Sequence, residues 1–358
     1  MPGKRQHYVP RFLLRRFAID PADKKSYIYK LEKSTGRPLR VNPLNEVVIG
    51  RYYRIVLDDG TVIDAADEAL DRIEAMAAEV VDQVADRGYV VSGEHVYILM
   101  LFIASLKNRT PQMRESLRET DEQAAELAME QMLSDRERYH ERFGTERPVD
   151  EVEAERLKLL AELREGRIGM ESSPEREVAL MFMALEEVTN TLYKDLSIRC
   201  IRVPSTSKAA FVLSDHPVAH YEPTPKTPES GAGFISSPNS QTWVPLDRQF
   251  GLLLSPQNPQ AWTNEEATDA EVDELNLLTY AWARDAIYGP SQEAVTRVRR
   301  LAKENRALLG EFKYRPPRLW LSRSSDDAGS GVHEFTSRHK GQAVKRKLYV
   351  AEGAQRTW

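Results

Sequence analysis

Residues 65–111 read AADEALDRIEAMAAEVVDQVADRGYVVSGEHVYILMLFIASLKNRTP, and the reading of this stretch decides the fold class. Ile73, Met76, Ala77, Val80, Val81 and Val84 recur at helical spacing, which predicts a helix over 65–86 with one apolar face. Ser92 is placed to cap a second helix, from about Glu94 to Asn108, because a serine hydroxyl accepts a backbone N–H of the first turn. That helix is apolar around most of its circumference and so predicts burial on most sides. Thr110-Pro111 ends it, since the residue before a proline avoids the α region.

Working outward, residues 7–17 (HYVPRFLLRRF) place Phe12, Leu13, Leu14 and Phe17 on a short helix or turn that opens near Pro10. SYIYKLE (26–32) alternates as a strand and STGR (34–37) is a turn. EVVIGRYYRIVLDDGTVID (46–64) predicts one or two strands around an Asp-Gly turn. After Pro111 a long charged helix is expected over 112–143, then helices over 150–165 and 174–193. Beyond these, Leu196–Val203 and Ala209–Leu213 are expected to pair as strands across PSTSK. A Pro-, Gly- and Ser-rich loop spans 222–240, short strands lie at 242–244 and 250–254, and helices at 263–283 and 291–305. Residues 323–342 have the composition of a mobile tail. The fold class expected is therefore α+β and mostly helical, with small antiparallel sheets at both ends of the chain and a helical middle. The domain reading is one domain over 1–290 with an acidic helical insert at about 112–170. A C-terminal helix and extension follow over 291–322, then a basic tail over 323–358.

At 358 residues with 41% hydrophobic and 29% charged, the chain can bury a sizeable core without staples. One cysteine, Cys200, excludes an intrachain disulfide and a cysteine-based zinc site. It sits mid-strand and reads as core. The longest apolar run, Val96–Ala104, is about half of the roughly 20 residues that a bilayer span needs. The N-terminus lacks the apolar region of a secretory signal, so the expected location is cytoplasmic, with no membrane partner.

The net charge of −5 argues against a general polyanion binder, but the charge is uneven. Residues 1–40 hold eleven Lys or Arg against three acids, and 313–347 hold nine against three. If these basic ends meet, they make a positive surface suited to a phosphate-bearing ligand. Phosphate-loop, Gly-x-Ser-x-Gly and His-Glu-x-x-His signatures are missing. Three polar clusters carry the remaining chemistry. Gln6 and His7 precede Arg11, Arg15 and Arg16, a set that can hold phosphate and move a proton, or simply pin the N-terminus. Arg109 ends the apolar helix, where it either complements the helix dipole or clamps an anion. Ser214, Asp215 and His216 follow an apolar strand, where Asp215 is a candidate base or metal ligand, against the plainer reading of a strand-ending turn.

HYVPRFLLRRF (7–17), NRTP (108–111), FVLSDHPV (211–218) and VPLDRQFGLLLS (244–255) occur together and in this order in one bacterial group. Over roughly residues 5–290 the chain resembles domain-of-unknown-function family 4238. Members usually carry Asn at the place of His216, which makes Asp215 the better ligand candidate. The resemblance implies that His7, Arg109, Ser214 and Asp215, which match its motif positions, share a pocket.

Two functional expectations follow. The first is a phosphoester hydrolase, such as a nuclease serving in defence or as a toxin. His7, Arg109 and Asp215 would be its catalytic residues, Gln6, Arg11, Ser214 and His216 its substrate contacts, and a divalent metal its candidate cofactor. The second is a non-catalytic module that binds a nucleotide, nucleic acid or protein and dimerises through the acidic helices, with His7, Arg109 and Asp215 as a structural network.

Overall fold

The structure is a computed structural model that describes residues 5–56, 59–90, 92–144, 147–222 and 239–312, with strand backbone at 320–322, 331–339 and 342–351. The chain opens with β1 (Arg5–His7), α1 (Arg11–Arg16), β2 (Ile28–Glu32), β3 (Pro38–Val41), β4 (Val48–Gly50), β5 (Ile55–Val56) and β6 (Val62–Ile63). Helices follow: α2 (Ala65–Arg87), α3 (Gly93–Asn108), α4 (Pro111–Ser134), α5 (Arg136–Phe143), α6 (Val149–Arg164) and α7 (Pro174–Asp195). The chain then returns to strands in β7 (Ser197–Arg202), β8 (Leu213–Ser214), β9 (Ala219–Tyr221), β10 (Gln241–Pro245), β11 (Phe250–Ser255) and β12 (Trp262–Glu266). It continues through α8 (Asp269–Trp282), β13 (Ala286–Gly289), α9 (Gln292–Glu304) and α10 (Arg306–Phe312) to β14 (Trp320–Ser322), β15 (Gly331–His339) and β16 (Gln342–Ala351). The architecture is α+β and mostly helical.

Two compact units divide the chain: residues 1–114 with 174–316, and residues 115–173 with 317–358. In the first, α2 and α3 form an antiparallel hairpin. Gly88 ends α2 in the left-handed region at φ 79°, and the Ser92 hydroxyl accepts the His95 N–H to start α3. Leu99, Met100, Phe102, Ile103, Ala104 and Leu106 of α3 are all fully buried, as its apolar circumference predicts. Each such Leu, Ile or Phe contributes about 1.5–3 kcal/mol through burial. The same core takes in Trp243, Leu252 and Leu254 from a five-stranded sheet of order β12-β7-β11-β10-β9.

A second sheet, β3-β2-β13-β8, joins strands from residues 28–41 to strands from 213–214 and 286–289. The two β-rich ends of the first unit thus share one sheet. β1 pairs with β4, and β5 with β6 around Asp59-Gly60, where Asp59 accepts the Thr61 N–H.

Several elements differ from the sequence reading. The helix expected over 112–143 breaks at Asp135, whose carboxylate accepts the Arg138 N–H and starts α5. Ala209–Leu213 does not pair with β7. Phe211 donates its N–H to the Arg248 carbonyl and Val212 to Asn276 Oδ1, leaving only Leu213–Ser214 as strand, in the other sheet. Residues 262–266 are strand, not helix, and run parallel to β7. α8 starts later because Thr268 and Glu271 form a reciprocal capping box. The short strands β9 and β13 and the helix α10 were not read from the sequence. β15 and β16 occupy most of 331–351, within the stretch 323–358 that was read as a mobile basic tail.

In the second unit, Leu133, Tyr139, Val152 and Leu163 make a small core, and its charges pair internally, as in Arg156–Glu153 and Arg164–Glu130. Most of the Pro-rich loop at 222–240 and the side chains of the basic stretch 313–347 lie outside the described residues.

Candidate functional site

β1 carries Arg5, Gln6 and His7 to one end of the α2–α3 hairpin. Gln6 is buried, and its Oε1 accepts the Tyr53 N–H at 2.9 Å. Tyr53 donates its hydroxyl back to the His7 carbonyl at 3.4 Å, which ties this turn to the strand. Val9 and Pro10 then fold the chain into α1, so that Arg11 stands at that helix's first position. α2 contributes Asp67, Asp71 and Glu74, whose spacings of four and three put them on one helix face. Arg109 caps the C-terminus of α3.

These residues surround one cavity of about 230 Å3, lined by Arg5, Gln6, His7, Arg11, Tyr53, Asp67, Leu70, Asp71, Glu74 and Arg109. Arg109 is fully buried, and its Nη1 donates to Glu74 Oε1 at 2.6 Å. Its Nε and Nη2 have no partner among the described residues. Burial pushes the Glu74 carboxyl up from its usual range, against the downward pull of Arg109; Asp71 and Asp67 add to the rise. Burial, with the nearby charge of Arg11, lowers the His7 imidazole below its ordinary value. His7 is therefore neutral at pH 7, and its Nδ1 has no partner among the described residues. The arrangement can hold an anion against guanidinium donors and offer it a neutral imidazole.

Four of the seven sequence-selected residues meet here: Gln6, His7, Arg11 and Arg109. Ser214, Asp215 and His216 do not line this cavity. Asp215 is buried and accepts the backbone N–H groups of Arg284, Asp285 and Ala286 at 2.8, 2.7 and 3.1 Å, which fixes the α8–β13 turn. Burial pushes its carboxyl up to about 6 against those three donors. Ser214 Oγ donates to the His216 carbonyl, the local turn that sequence alone allowed. His216 Nδ1 lies 2.9 Å from Thr110 Oγ1 and its ring packs on Trp282. Among the described residues, no three His, Cys, Asp or Glu side chains are grouped as a metal site.

Sequence reasoning missed Arg5, Tyr53, Asp67, Asp71 and Glu74. The three acids had a readable signal, an Asp-x-x-x-Asp-x-x-Glu spacing on the polar face of a periodic helix.

No curated protein and no solved structure matches the chain. A family model described as "Protein of unknown function (DUF4238)" matches residues 5–293, a span that takes in β1, the α2–α3 hairpin and every residue of the cavity, and the chain belongs to that family.

Proposed function

We propose that the cavity binds a phosphoryl group and that the chain hydrolyses a phosphoester there, with nucleic acid as the candidate substrate class. The observation that carries this reading is Arg109, fully buried beside His7 with two donor groups unused. A guanidinium with open donors offers phosphate oxygens charge-assisted, bidentate hydrogen bonds. In this reading water attacks phosphorus while the neutral His7 ring takes its proton. The bond from phosphorus to the leaving oxygen breaks, and the protonated imidazole returns the proton to that oxygen. Arg109 and Arg11 carry the charge that grows on the non-bridging oxygens. Asp215 has no part in the step. A cytoplasmic nuclease of this kind would suit defence or toxicity.

A non-catalytic reading rests on size: about 230 Å3 is below the ~300–1,000 Å3 of most small-molecule sites, so the cavity takes one group of a larger ligand. The exposed Leu157 and Val149 of α6 are the candidate dimer contacts of that reading.

The test is incubation of the purified chain with RNA and DNA, with and without magnesium or manganese. Wild type and Asp215→Asn are expected to cleave, and His7→Gln to cleave roughly 10²–10⁴-fold more slowly. Intact nucleic acid under every condition moves the chain to the binding reading.

A further inference from the structure

A second cavity, of about 550 Å3, lies in the same unit and shares no residue with the first. It is lined by Tyr89, Val90, Gly93, Val96, Tyr193, Leu196, Ile198, Gln260, Trp262 and Asn264. Tyr89 and Gly93 belong to the loop end of the α2–α3 hairpin, whereas Glu74 and Arg109 belong to its other end. At 1.5 Å per residue, the 15 positions from Glu74 to Tyr89 separate the two cavities by roughly 20 Å along α2.

The walls are built to stay in place. Trp262 Nε1 donates to the Gly88 carbonyl at 2.7 Å, which fixes the indole. Tyr193 is held edge-on by Tyr97, with ring centroids 5.6 Å apart and planes at 79°. A side chain at Gly88 would collide with Asn264, whose Nδ2 comes within 2.5 Å of the place a Cβ would occupy. Gly88 thus serves the left-handed turn and also leaves Asn264 its position at the cavity. Gln260 adopts φ 65°, a region that L-residues other than Asn and Asp rarely enter, and its backbone N–H is tied to the Leu196 carbonyl at 3.0 Å. Its carboxamide makes no hydrogen bond among the described residues.

The chemistry of this lining is specific in what it lacks. No Asp, Glu, Lys, Arg or His side chain lines it. The adjacent Arg202 is already engaged: its Nε donates to Asn264 Oδ1, and its Nη2 to the Val84 and Ala85 carbonyls. A charged ligand would find no counter-charge. Flat aromatic and aliphatic walls with two carboxamides suit a planar ring that also carries hydrogen-bonding edges. The volume falls within the range of small-molecule sites. We infer that this cavity is a binding site for an uncharged planar heteroaromatic ligand of the nucleobase type, independent of the Arg109 cavity.

Adenosine, which is uncharged at neutral pH, is the probe. It would be titrated into the full chain while the indole N–H resonance of Trp262, assigned with Trp262→Phe, is followed. Saturable shifts of that resonance are expected in wild type, with affinity unchanged in Arg11→Ala. Gly93→Leu fills the cavity beside the Tyr193 hydroxyl, which lies 3.3 Å from where a Cβ would stand. Tyr89→Ala removes an exposed wall. Each is expected to weaken binding by roughly tenfold or more, with the folded spectrum retained. No saturable shift at several millimolar adenosine, or equal affinity in wild type, Gly93→Leu and Tyr89→Ala, overturns the assignment.

Discussion

Lowering the pH from 6.5 toward 3 destabilises the first unit steeply, at up to about 2.7 kcal/mol per pH unit from His216 and His220 together. Both rings are buried, and burial, aided by the charge of Lys107, lowers each to about 3. His216 faces Thr110 and Trp282, and His220 faces Thr242 and Trp282, and none of these groups carries a negative charge that would favour the cation. In the unfolded chain the same imidazoles titrate near 6.5. Between these values the unfolded state holds a proton that the folded state refuses. The stability from each neutral ring is present above about 6.5 and is lost as pH falls toward 3. Each ring contributes a slope of about 1.36 kcal/mol per unit. Carboxylates elsewhere titrate in the same range, so the informative quantity is a difference. His216→Asn keeps a polar side chain at this position without a titrating ring. Its urea-unfolding free energy is expected to fall by about 1.4 kcal/mol less per pH unit than that of wild type. Parallel curves for the two proteins between pH 6 and 4 would mean that His216 is protonated in the folded chain.

Arg109→Ala is expected to cost about 3–5 kcal/mol of stability, because it strands a largely buried Glu74 without its partner. The pair is not by itself a large gain over an apolar one, since both ions have been taken out of water. What costs is breaking it from one side. Adding Glu74→Gln to Arg109→Ala removes the stranded charge, so the double variant is expected to lose less than the sum of the single losses. Urea unfolding of the four proteins measures this coupling. Strictly additive losses would place Glu74 in contact with water rather than with Arg109. For the same reason Arg109→Ala is a poor probe of activity, and His7 and Arg11, which are less buried, are the better ones.

The parts of the fold legible in the sequence were those with local signals. The 3.6-residue period of α2, the Ser92 cap and the Thr110-Pro111 break place the hairpin within a residue or two. The misread parts depend on distant partners. Trp262–Glu266 resembles the start of α8 until β7 is present to pair with it, although the Thr268/Glu271 box already marked the helix start. Ala286–Gly289 is four residues long and fully buried, too short for alternation to show. The Asp135 break was signalled only by one capping aspartate among many charges.

The candidate site divided along the same line. Gln6, His7, Arg11 and Arg109 stood out because polar groups flank apolar elements there, and the fold brings them together. Asp215 stood out equally by sequence, yet its carboxylate is consumed by three backbone donors from residues 284–286. Nothing within FVLSDHPV reports where that distant turn lies. Asp67, Asp71 and Glu74 were not singled out, because their role depends on Arg109 arriving from α3.

Titrating inorganic phosphate into wild type and Arg11→Ala by NMR shows whether the cavity around His7 and Arg109 is an anion site. The three arginines and three acids of the lining balance in formal charge, so weak, millimolar binding is expected rather than tight binding. Saturable shifts are expected at Arg5–His7, Arg11 and Arg109 in wild type, with affinity reduced roughly tenfold in Arg11→Ala. Shifts confined to other surfaces, or equal affinity in both proteins, would contradict it.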